Sequence, residues 1–324
     1  MSKQNSNSLI RAQVITVYKD RYLVEFEEGK ILCEVSGRFQ YIHYDRSDYP
    51  QIGDYVAFRK ADDYLGIIEE IEVRKSVLDR SDTNNGAIVG RQILAVNIDI
   101  VFICLSLNED FNTKKLRDFL SLTYHRNFKT IILLTKKDLC DNIEFFIQKT
   151  KEVTDNDIYP ITVYDESDID VLMGLIKDKI AVFIGSSGVG KSSITNKLLA
   201  EEHFETSQIR LSDAQGRHTT VHRELVTLKN GGKVIDTPGI RIISSYFVDE
   251  GSFEDIKSLS EGCRFKNCSH DNEPGCMVLR AIDTGKLDIE RYKQYNKALR
   301  ISRFNKNREL ERERMLDKRL GKGR

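Results

Sequence analysis

A glycine-rich run between a predicted strand and a predicted helix constrains the fold of this chain more than any other feature. Residues 185–192 read Gly-Ser-Ser-Gly-Val-Gly-Lys-Ser and match the P-loop pattern G-x4-G-K-[ST]. The apolar residues 180–184 before it predict a strand, and residues 193–200 after it predict an amphipathic helix. Glycines at a helix start let successive backbone N–H groups converge on phosphate oxygens. The run therefore predicts a nucleotide site, and the surrounding strand and helix argue against a chance glycine-rich turn.

Each residue type in this loop has an expected task. Lys191 should reach the β- and γ-phosphates, and the hydroxyl of Ser192 should coordinate Mg²⁺. The residues expected around the phosphates are Gly185, Ser186, Ser187, Gly188, Val189, Gly190, Lys191, Ser192 and Ser193. A second motif, Asp236-Thr-Pro-Gly239, follows the apolar residues Val234 and Ile235. This D-x-x-G pattern predicts that Asp236 holds the Mg²⁺ shell and that the Gly239 N–H senses the γ-phosphate.

A third motif indicates which base is bound. Residues 135–138, Thr-Lys-Lys-Asp, follow an apolar run and resemble the guanine-reading N-K-x-D motif. The carboxylate of Asp138 can accept two hydrogen bonds from guanine, whereas adenine offers no such pair and would leave a buried acceptor unpaired. Lys136 should cover one face of the base, and Lys137 completes the predicted set, while Thr135 departs from the usual Asn. Alone the motif also fits an ordinary helix N-terminus; beside the P-loop it favours GTP.

The order of the motifs is unusual. An ordinary GTPase runs from the P-loop through a switch threonine and D-x-x-G to N-K-x-D. Here residues 135–138 precede the P-loop, which precedes Gly216-Arg-His-Thr-Thr220 and then Asp236. The order predicts a circularly permuted domain, which we place at residues 98–249 because strand-like and helix-like stretches alternate there.

The first 73 residues have a different pattern. Five short alternating runs predict a small β-barrel of the OB type, a fold that often binds RNA. They are residues 12–18, 21–26, 31–35, 54–58 and 65–71. Since this segment is net acidic, a packing or docking role has nearly equal weight. Residues 74–97 are predicted to be an irregular linker because they contain the turn-forming cluster 82–86.

A cysteine cluster follows the switch motifs. Cys263, Cys268, His270 and Cys276 have spacings that suit one tetrahedral Zn²⁺, and four protein ligands leave no open position for catalysis. The alternative is a group of unrelated buried cysteines. Residues 250–324 are therefore predicted to be a zinc-binding domain with basic C-terminal helices. The apolar stripe predicted for these helices consists of Tyr292, Tyr295, Leu299 and Ile301.

The charge distribution distinguishes this end of the chain. Lys and Arg total 50 and Asp and Glu total 50, but residues 277–324 carry 15 basic and 7 acidic side chains, a net charge of +8. A basic helix is usually a solvated face, but this charge beside a zinc module favours contact with an RNA backbone. No run approaches the roughly 18 apolar residues of a membrane span, and the polar N-terminus does not suggest a secretory signal. We expect a cytoplasmic protein with reduced thiols and no membrane partner.

The quoted motifs together resemble the RsgA family of small-ribosomal-subunit-dependent, circularly permuted GTPases, over residues 10–310. The resemblance implies an α/β P-loop GTPase domain between an OB-type barrel and a helical zinc-binding domain. It implies a monomeric GTP hydrolase in late 30S assembly, which binds the subunit and rRNA with GTP and leaves after hydrolysis. It also implies that His218 positions the attacking water and that Thr219 or Thr220 completes the Mg²⁺ shell. The fifth guanine loop would fall at Thr162-Val163-Tyr164.

The sequence also fits two alternative functions. One is a nucleic-acid-binding protein that uses GTP only as a structural or regulatory ligand. The other is a P-loop ATPase or kinase, which would prefer ATP or transfer phosphate to a group other than water.

Overall fold

The computed structural model describes residues 8–43, 45–84, 87–124, 126–203, 224–236, 253–266, 268–289, 291–293, 295–296, 299–300 and five single positions between 307 and 317. Within these, residues 81–84, 87–91, 200–203, 236 and 254 are described by their backbone only.

The N-terminal segment forms a closed five-stranded barrel. Its elements are β1 (Ile10–Val17), β2 (Tyr22–Phe26), β3 (Gly29–Val35), helix α1 (Gly37–Ile42), β4 (Tyr55–Lys60) and β5 (Leu65–Ile71). The strands pair in the order β1-β2-β3-β5-β4, and β4 pairs back onto β1. Alternating apolar residues fill the interior, where Val24, Phe58 and Ile68 have no exposed surface. The predicted barrel is confirmed; helix α1 was not predicted.

The segment from residue 74 to 97 is not irregular as predicted. It contains β6 (Val77–Asn84) and β7 (Ala87–Val96), which pair in a two-stranded sheet. Aliphatic residues explain the strands, since Leu78 and residues 93–96 are buried and favour extended backbone. Residues 82–84 of the polar cluster are the last residues of β6. The prediction was wrong because it treated the residues before and after the cluster as part of the same loop.

An α/β domain follows β7. Its elements are β8 (Ile100–Ser106), α2 (Thr113–Ser121), β9 (Lys129–Thr135), α3 (Ile143–Lys151), β10 (Asp157–Pro160), α4 (Glu166–Ile176), β11 (Ile180–Gly185), α5 (Lys191–His203), β12 (Glu224–Thr227) and β13 (Lys233–Asp236). The strands lie in the order β10-β9-β8-β11-β13-β12, all parallel except β12. The P-loop strand β11 lies between β8 and β13 near the centre, although β8, β9 and β10 all precede it in the chain. The sheet therefore has a P-loop strand at its centre and a permuted chain order.

The barrel and this sheet are continuous. Strand β12 pairs antiparallel with β1 at Glu224 and Thr16. Beside this pair, the Lys233 ammonium donates to Gln13 Oε1 at 2.7 Å and lies 3.6 Å from Glu25.

The C-terminal region has a core of its own. Helices α6 (Glu254–Glu261) and α7 (Met277–Asp283) contribute Ile256 and Val278, which have no exposed surface. The predicted apolar stripe is confirmed for Tyr292 and Tyr295, both buried in this core, and for Leu299, which packs against it. Its fourth member, Ile301, lies outside the described residues. Every described residue between 289 and 317 is helical. Among the described residues, no helix combines the length and apolar character that a membrane span requires.

Candidate nucleotide site and candidate metal centre

The P-loop joins the end of β11 to the start of α5, as its sequence predicts. Gly185 has a φ of +154°, and a Cβ there would lie 2.5 Å from the carbonyl oxygen of Cys104. Gly188 has a φ of +76°, and a Cβ there would meet no atom within 4 Å. Glycine is therefore favoured at this position by the backbone conformation and not by a lack of space. These glycines give the loop the close turn that lets backbone N–H groups face a phosphate.

Lys191 lies against this loop. Its Nζ donates to the carbonyl oxygens of Gly185 at 2.8 Å and Ser186 at 2.6 Å. Partial burial lowers the pKa of Lys191 below 10.5, because the charged ammonium loses hydration. The ammonium is thus held against the loop that is predicted to bind the phosphates of the nucleotide.

A cavity of about 230 Å³ adjoins the P-loop. It is lined by Thr135, Lys136, Asp138, Leu139, Ile161, Thr162, Val163, Tyr164, Gly190, Ser193 and Ile194. The structure therefore brings together the predicted base-reading motif, the predicted fifth loop and part of the P-loop, although these segments are far apart in the chain.

A buried hydrogen bond joins the base-reading motif to the P-loop. The Thr135 hydroxyl lies 2.6 Å from the carbonyl oxygen of Val189 and 3.2 Å from that of Leu105, so its single proton goes to the nearer acceptor. Thr135 is 3% exposed. Although Thr135 stands where the N-K-x-D motif has Asn, its hydroxyl links the base-reading motif directly to the P-loop.

The next residues turn Asp138 toward the cavity. Lys136 has a left-handed φ of 60°, and residues 137–139 form one turn of 3-10 helix. The Thr162 hydroxyl donates to Asp138 Oδ1 at 2.6 Å. A carboxylate has two oxygens and about four acceptor positions, so Asp138 keeps capacity for the two donors of a guanine edge.

Lys137 has partners that sequence reasoning missed. Its Nζ lies 2.8 Å from Asp168 Oδ1, 2.7 Å from Asp168 Oδ2 and 3.3 Å from Asp165 Oδ2. The bond to Asp168, with a smaller contribution from Asp165, raises the pKa of Lys137 above 10.5. Nothing in the sequence pattern separates these two carboxylates from ordinary acidic residues at the start of a helix.

The predicted magnesium ligands are only partly described. Ser192 is the second residue of α5, and Asp236 ends β13, which pairs in parallel with β11. The carboxyl ends of neighbouring parallel strands meet at one edge of a sheet, which places Asp236 beside the P-loop edge. Four other predicted site residues lie outside the described residues: His218, Thr219, Thr220 and Gly239.

The four predicted metal ligands converge. Their ligand atoms all lie within 4.8 Å of one another. His270 Nδ1 is 3.3 Å from Cys276 Sγ and 3.7 Å from Cys263 Sγ, and the two sulfur atoms are 3.9 Å apart. A tetrahedron with Zn–S bonds of about 2.3 Å has sulfur–sulfur edges of about 3.8 Å. The donor set and its spacing therefore fit a tetrahedral metal ion.

The histidine of this cluster is oriented by a neighbouring hydroxyl. Ser260 Oγ donates to the Ile256 carbonyl at 2.8 Å and lies 3.1 Å from His270 Nε2. Because the serine proton is already used, Oγ must accept from an Nε2–H, which leaves a lone pair on Nδ1 toward the cysteines. Tyr292 also donates its hydroxyl to the His270 carbonyl. This arrangement is typical of a metal-binding histidine.

Comparisons with known proteins identify relatives that match most of the chain. A sequence profile described as RsgA GTPase matches residues 71–245. The chain is 36% identical over 298 residues to small ribosomal subunit biogenesis GTPase RsgA 2 of Lactiplantibacillus plantarum, covering 91% of this chain and 84% of that one. It is 35% identical over 300 residues to RsgA 1 of Oceanobacillus iheyensis, covering 89% and 84%.

Solved structures agree with this likeness. The crystal structure of YjeQ from Thermotoga maritima matches with a TM-score of 0.57 and 25% identity, covering 89% of this chain and 96% of that one. The structure of YloQ, a circularly permuted GTPase, matches with a TM-score of 0.56 and 26% identity, covering 91% and 95%. The fold is therefore a circularly permuted α/β P-loop GTPase domain with an N-terminal barrel and a C-terminal helical region that carries the cysteine cluster.

Proposed function

The chain belongs to the RsgA GTPase family and is a GTP-hydrolysing enzyme, and we propose that it acts in late assembly of the small (30S) ribosomal subunit. In this proposal the GTP-bound protein binds the subunit and its rRNA, and hydrolysis releases it with GDP. The protein works as a cytoplasmic monomer.

One observation carries the nucleotide part of the proposal. The Thr135 to Val189 hydrogen bond ties the base-reading motif to the P-loop, and both line one cavity. Asp138 reads guanine there, Lys136 covers a face of the base, and Lys191 with residues 185–193 holds the phosphates. Ser192 and Asp236, together with Thr219 or Thr220, would hold a Mg²⁺ ion, which would neutralise charge on the phosphates.

The catalytic proposal rests on the switch sequence. Ile240 stands directly after Gly239, where Ras-like proteins have a catalytic glutamine, and an alkyl side chain cannot orient water. Intrinsic hydrolysis should therefore be slow, and His218 positions the water when the subunit is bound. Unchanged subunit-stimulated turnover in His218→Ala would remove that role.

The C-terminal region is proposed to make the rRNA contact. One structural Zn²⁺ would be held by Cys263, Cys268, His270 and Cys276, because their ligand atoms lie within 4.8 Å of one another. Residues 277–324 carry the net charge of +8, and Arg300 and Arg314 are exposed on helical backbone. Binding through such charges should weaken steeply as salt rises, because condensed counterions are released from the RNA.

The deciding experiment is GTP turnover by the full-length protein with and without purified small subunits. We expect subunits to stimulate turnover, free rRNA of the same concentration to stimulate it much less, and Lys191→Ala to abolish it in both cases. Turnover that responds to free RNA but not to assembled subunits would overturn the ribosomal assignment while leaving GTP hydrolysis intact.

A further inference from the structure

Two connections of the α/β domain are tied together at the base cavity. Strands β9 and β10 are parallel neighbours, and Ile161, directly after β10, continues the backbone hydrogen bonding to the end of β9 and to the residues that follow it. Ile161 N–H donates to the Leu134 carbonyl at 2.8 Å, and Lys137 N–H donates to the Ile161 carbonyl at 3.2 Å. The base-reading motif and the predicted fifth loop therefore begin from one fixed point.

Beyond that point the two connections are held by one carboxylate. Asp168, in the first turn of α4, accepts the Thr162 N–H at 2.8 Å through Oδ2. The same carboxylate holds the Lys137 ammonium at 2.7 to 2.8 Å. The Asp168 side chain is 13% exposed and Thr162 is 7% exposed, so water competes little for the hydrogen bond from the Thr162 N–H, while the Lys137 side chain is 26% exposed.

The network ends on the carboxylate that is proposed to read the base. Thr162 donates its hydroxyl to Asp138 Oδ1 at 2.6 Å. Asp138 itself is exposed, so packing does not fix its side chain, and this hydrogen bond restricts its rotation. A fixed acceptor loses less entropy when it binds the two donors of guanine.

We propose that Asp168 and Lys137 form a positioning pair for guanine recognition, which fixes Thr162 and through it the carboxylate of Asp138. This inference rests on the proposed role of Asp138 in the function above. Asp168 acts as the acceptor that orients Thr162, and Lys137 supplies the counter-charge that keeps this carboxylate in place between the two connections. Neither side chain needs to contact the nucleotide.

The pair should affect base selectivity more than chemistry. Inosine nucleotides keep N1–H but lack the 2-amino group of guanine, so they make one hydrogen bond to Asp138 where guanine makes two. Misalignment of Asp138 should therefore lower the affinity for GDP more than the affinity for IDP. The KM for GTP should rise while kcat at saturating GTP changes little, since the phosphate contacts are untouched.

The test measures GDP and IDP affinity of the full chain by calorimetry, with GTP turnover in parallel. Asp168→Ala should weaken GDP binding roughly tenfold, the effect of one unpaired buried group, and lower the GDP-to-IDP affinity ratio. Asp168→Asn and Lys137→Met should also lower the GDP-to-IDP affinity ratio, but by less. Lys137→Arg keeps the positive charge and should keep the wild-type ratio. The matched control is Asp170→Ala, which changes an exposed carboxylate on the same helix and should leave both affinities unchanged.

The outcomes separate this inference from the function on which it rests. A loss of GDP and IDP affinity in equal proportion would indicate a structural role only, and an unchanged ratio in both Asp168 variants would also overturn the inference. Asp168→Asn decides the matter if Asp168→Ala does not fold. A wild-type protein that binds GDP and IDP equally would overturn the guanine assignment of Asp138, and this inference with it.

Discussion

The hydroxyl of Thr135 lies 2.6 Å from the carbonyl oxygen of Val189, 54 residues later in the chain. This bond connects the base-reading motif to the P-loop inside a protein interior where the threonine is 3% exposed. The two parts of a nucleotide, base and phosphates, would therefore be recognised by segments that cannot move independently. An amide at position 135 is not required for that link, because a hydroxyl at this position reaches the carbonyl directly.

Replacing this threonine by valine tests the link at constant shape. Thr135→Val leaves the Val189 carbonyl without its donor, which costs about 1–3 kcal/mol for a buried group. We expect GDP affinity to fall about tenfold by calorimetry, with a lower unfolding temperature. Thr150→Val is the control, since that fully buried hydroxyl donates to the Phe146 carbonyl within α3 and should not affect GDP binding. Equal GDP affinity in Thr135→Val and wild type would contradict the coupling.

The two P-loop glycines should respond differently to alanine. Gly188→Ala meets no atom within 4 Å and should cost only the left-handed backbone penalty of about 1–2 kcal/mol. Gly185→Ala places its Cβ 2.5 Å from the Cys104 carbonyl oxygen, so the β8 or β11 backbone must also move. We therefore expect the free energy of unfolding, from urea denaturation of the nucleotide-free protein, to fall further for Gly185→Ala. Equal losses in the two variants would show that the loop relaxes without disturbing β8.

Sequence reasoning succeeded where the signal was local. The P-loop required a strand before residue 185 and a helix after it, and the structure has β11 and α5 at those positions. The cysteine spacing likewise predicted four ligands that the structure brings within 4.8 Å. Such motifs work because the chemistry restricts residue type and spacing at the same time.

The features that the sequence did not predict depend on contacts between residues that are far apart in the chain. Residues 77–96 look polar and loop-like in part, but β6 and β7 are defined by pairing with each other, which local composition does not record. Asp168 was missed for a similar reason, since its partner Lys137 is 31 residues earlier in the chain. A carboxylate at a helix start is common, and only the three-dimensional fold shows which cation it faces.

The partial burial of Lys191 predicts a pH dependence of nucleotide affinity. Loss of hydration lowers the pKa of this ammonium below 10.5 in the free protein, and a bound phosphate would raise it again by supplying an opposite charge. The nucleotide-bound form then holds more protons than the free form at alkaline pH. GDP affinity should therefore be full below the lowered pKa and fall as the pH rises through it.

Calorimetry can measure this effect directly. In buffers of different ionisation enthalpy, GDP binding to the wild-type protein should show net proton uptake that grows as the pH rises toward the lowered pKa of Lys191. Lys191→Ala should bind GDP weakly and without that uptake. A constant proton balance across the alkaline range in the wild-type protein would show that the ammonium keeps its charge in both states.

The Ser260 hydroxyl, which orients His270, should increase the affinity of the cluster for the proposed zinc ion. Ser260→Ala removes the acceptor for His270 Nε2–H, so the ring is no longer held with Nδ1 toward Cys263 and Cys276. Loss of such an outer partner typically weakens metal affinity about 10–100-fold. We expect wild type to contain one zinc per chain and Ser260→Ala to release it to a chromogenic chelator at correspondingly lower chelator concentration.

Ser258→Ala is the matched control for this experiment, because Ser258 is an exposed serine on the same helix α6 and its loss leaves His270 oriented. Zinc release at the same chelator concentration from both serine variants would remove the orienting role of Ser260.

Cys276 is both a predicted ligand and part of the core with Ile256 and Tyr292. Metal removal should therefore also loosen that core, measured as faster hydrogen exchange of α6 and α7. Zinc release without any change in exchange would separate the metal from the stability of the C-terminal core, since a structural ion contributes its binding free energy to folding.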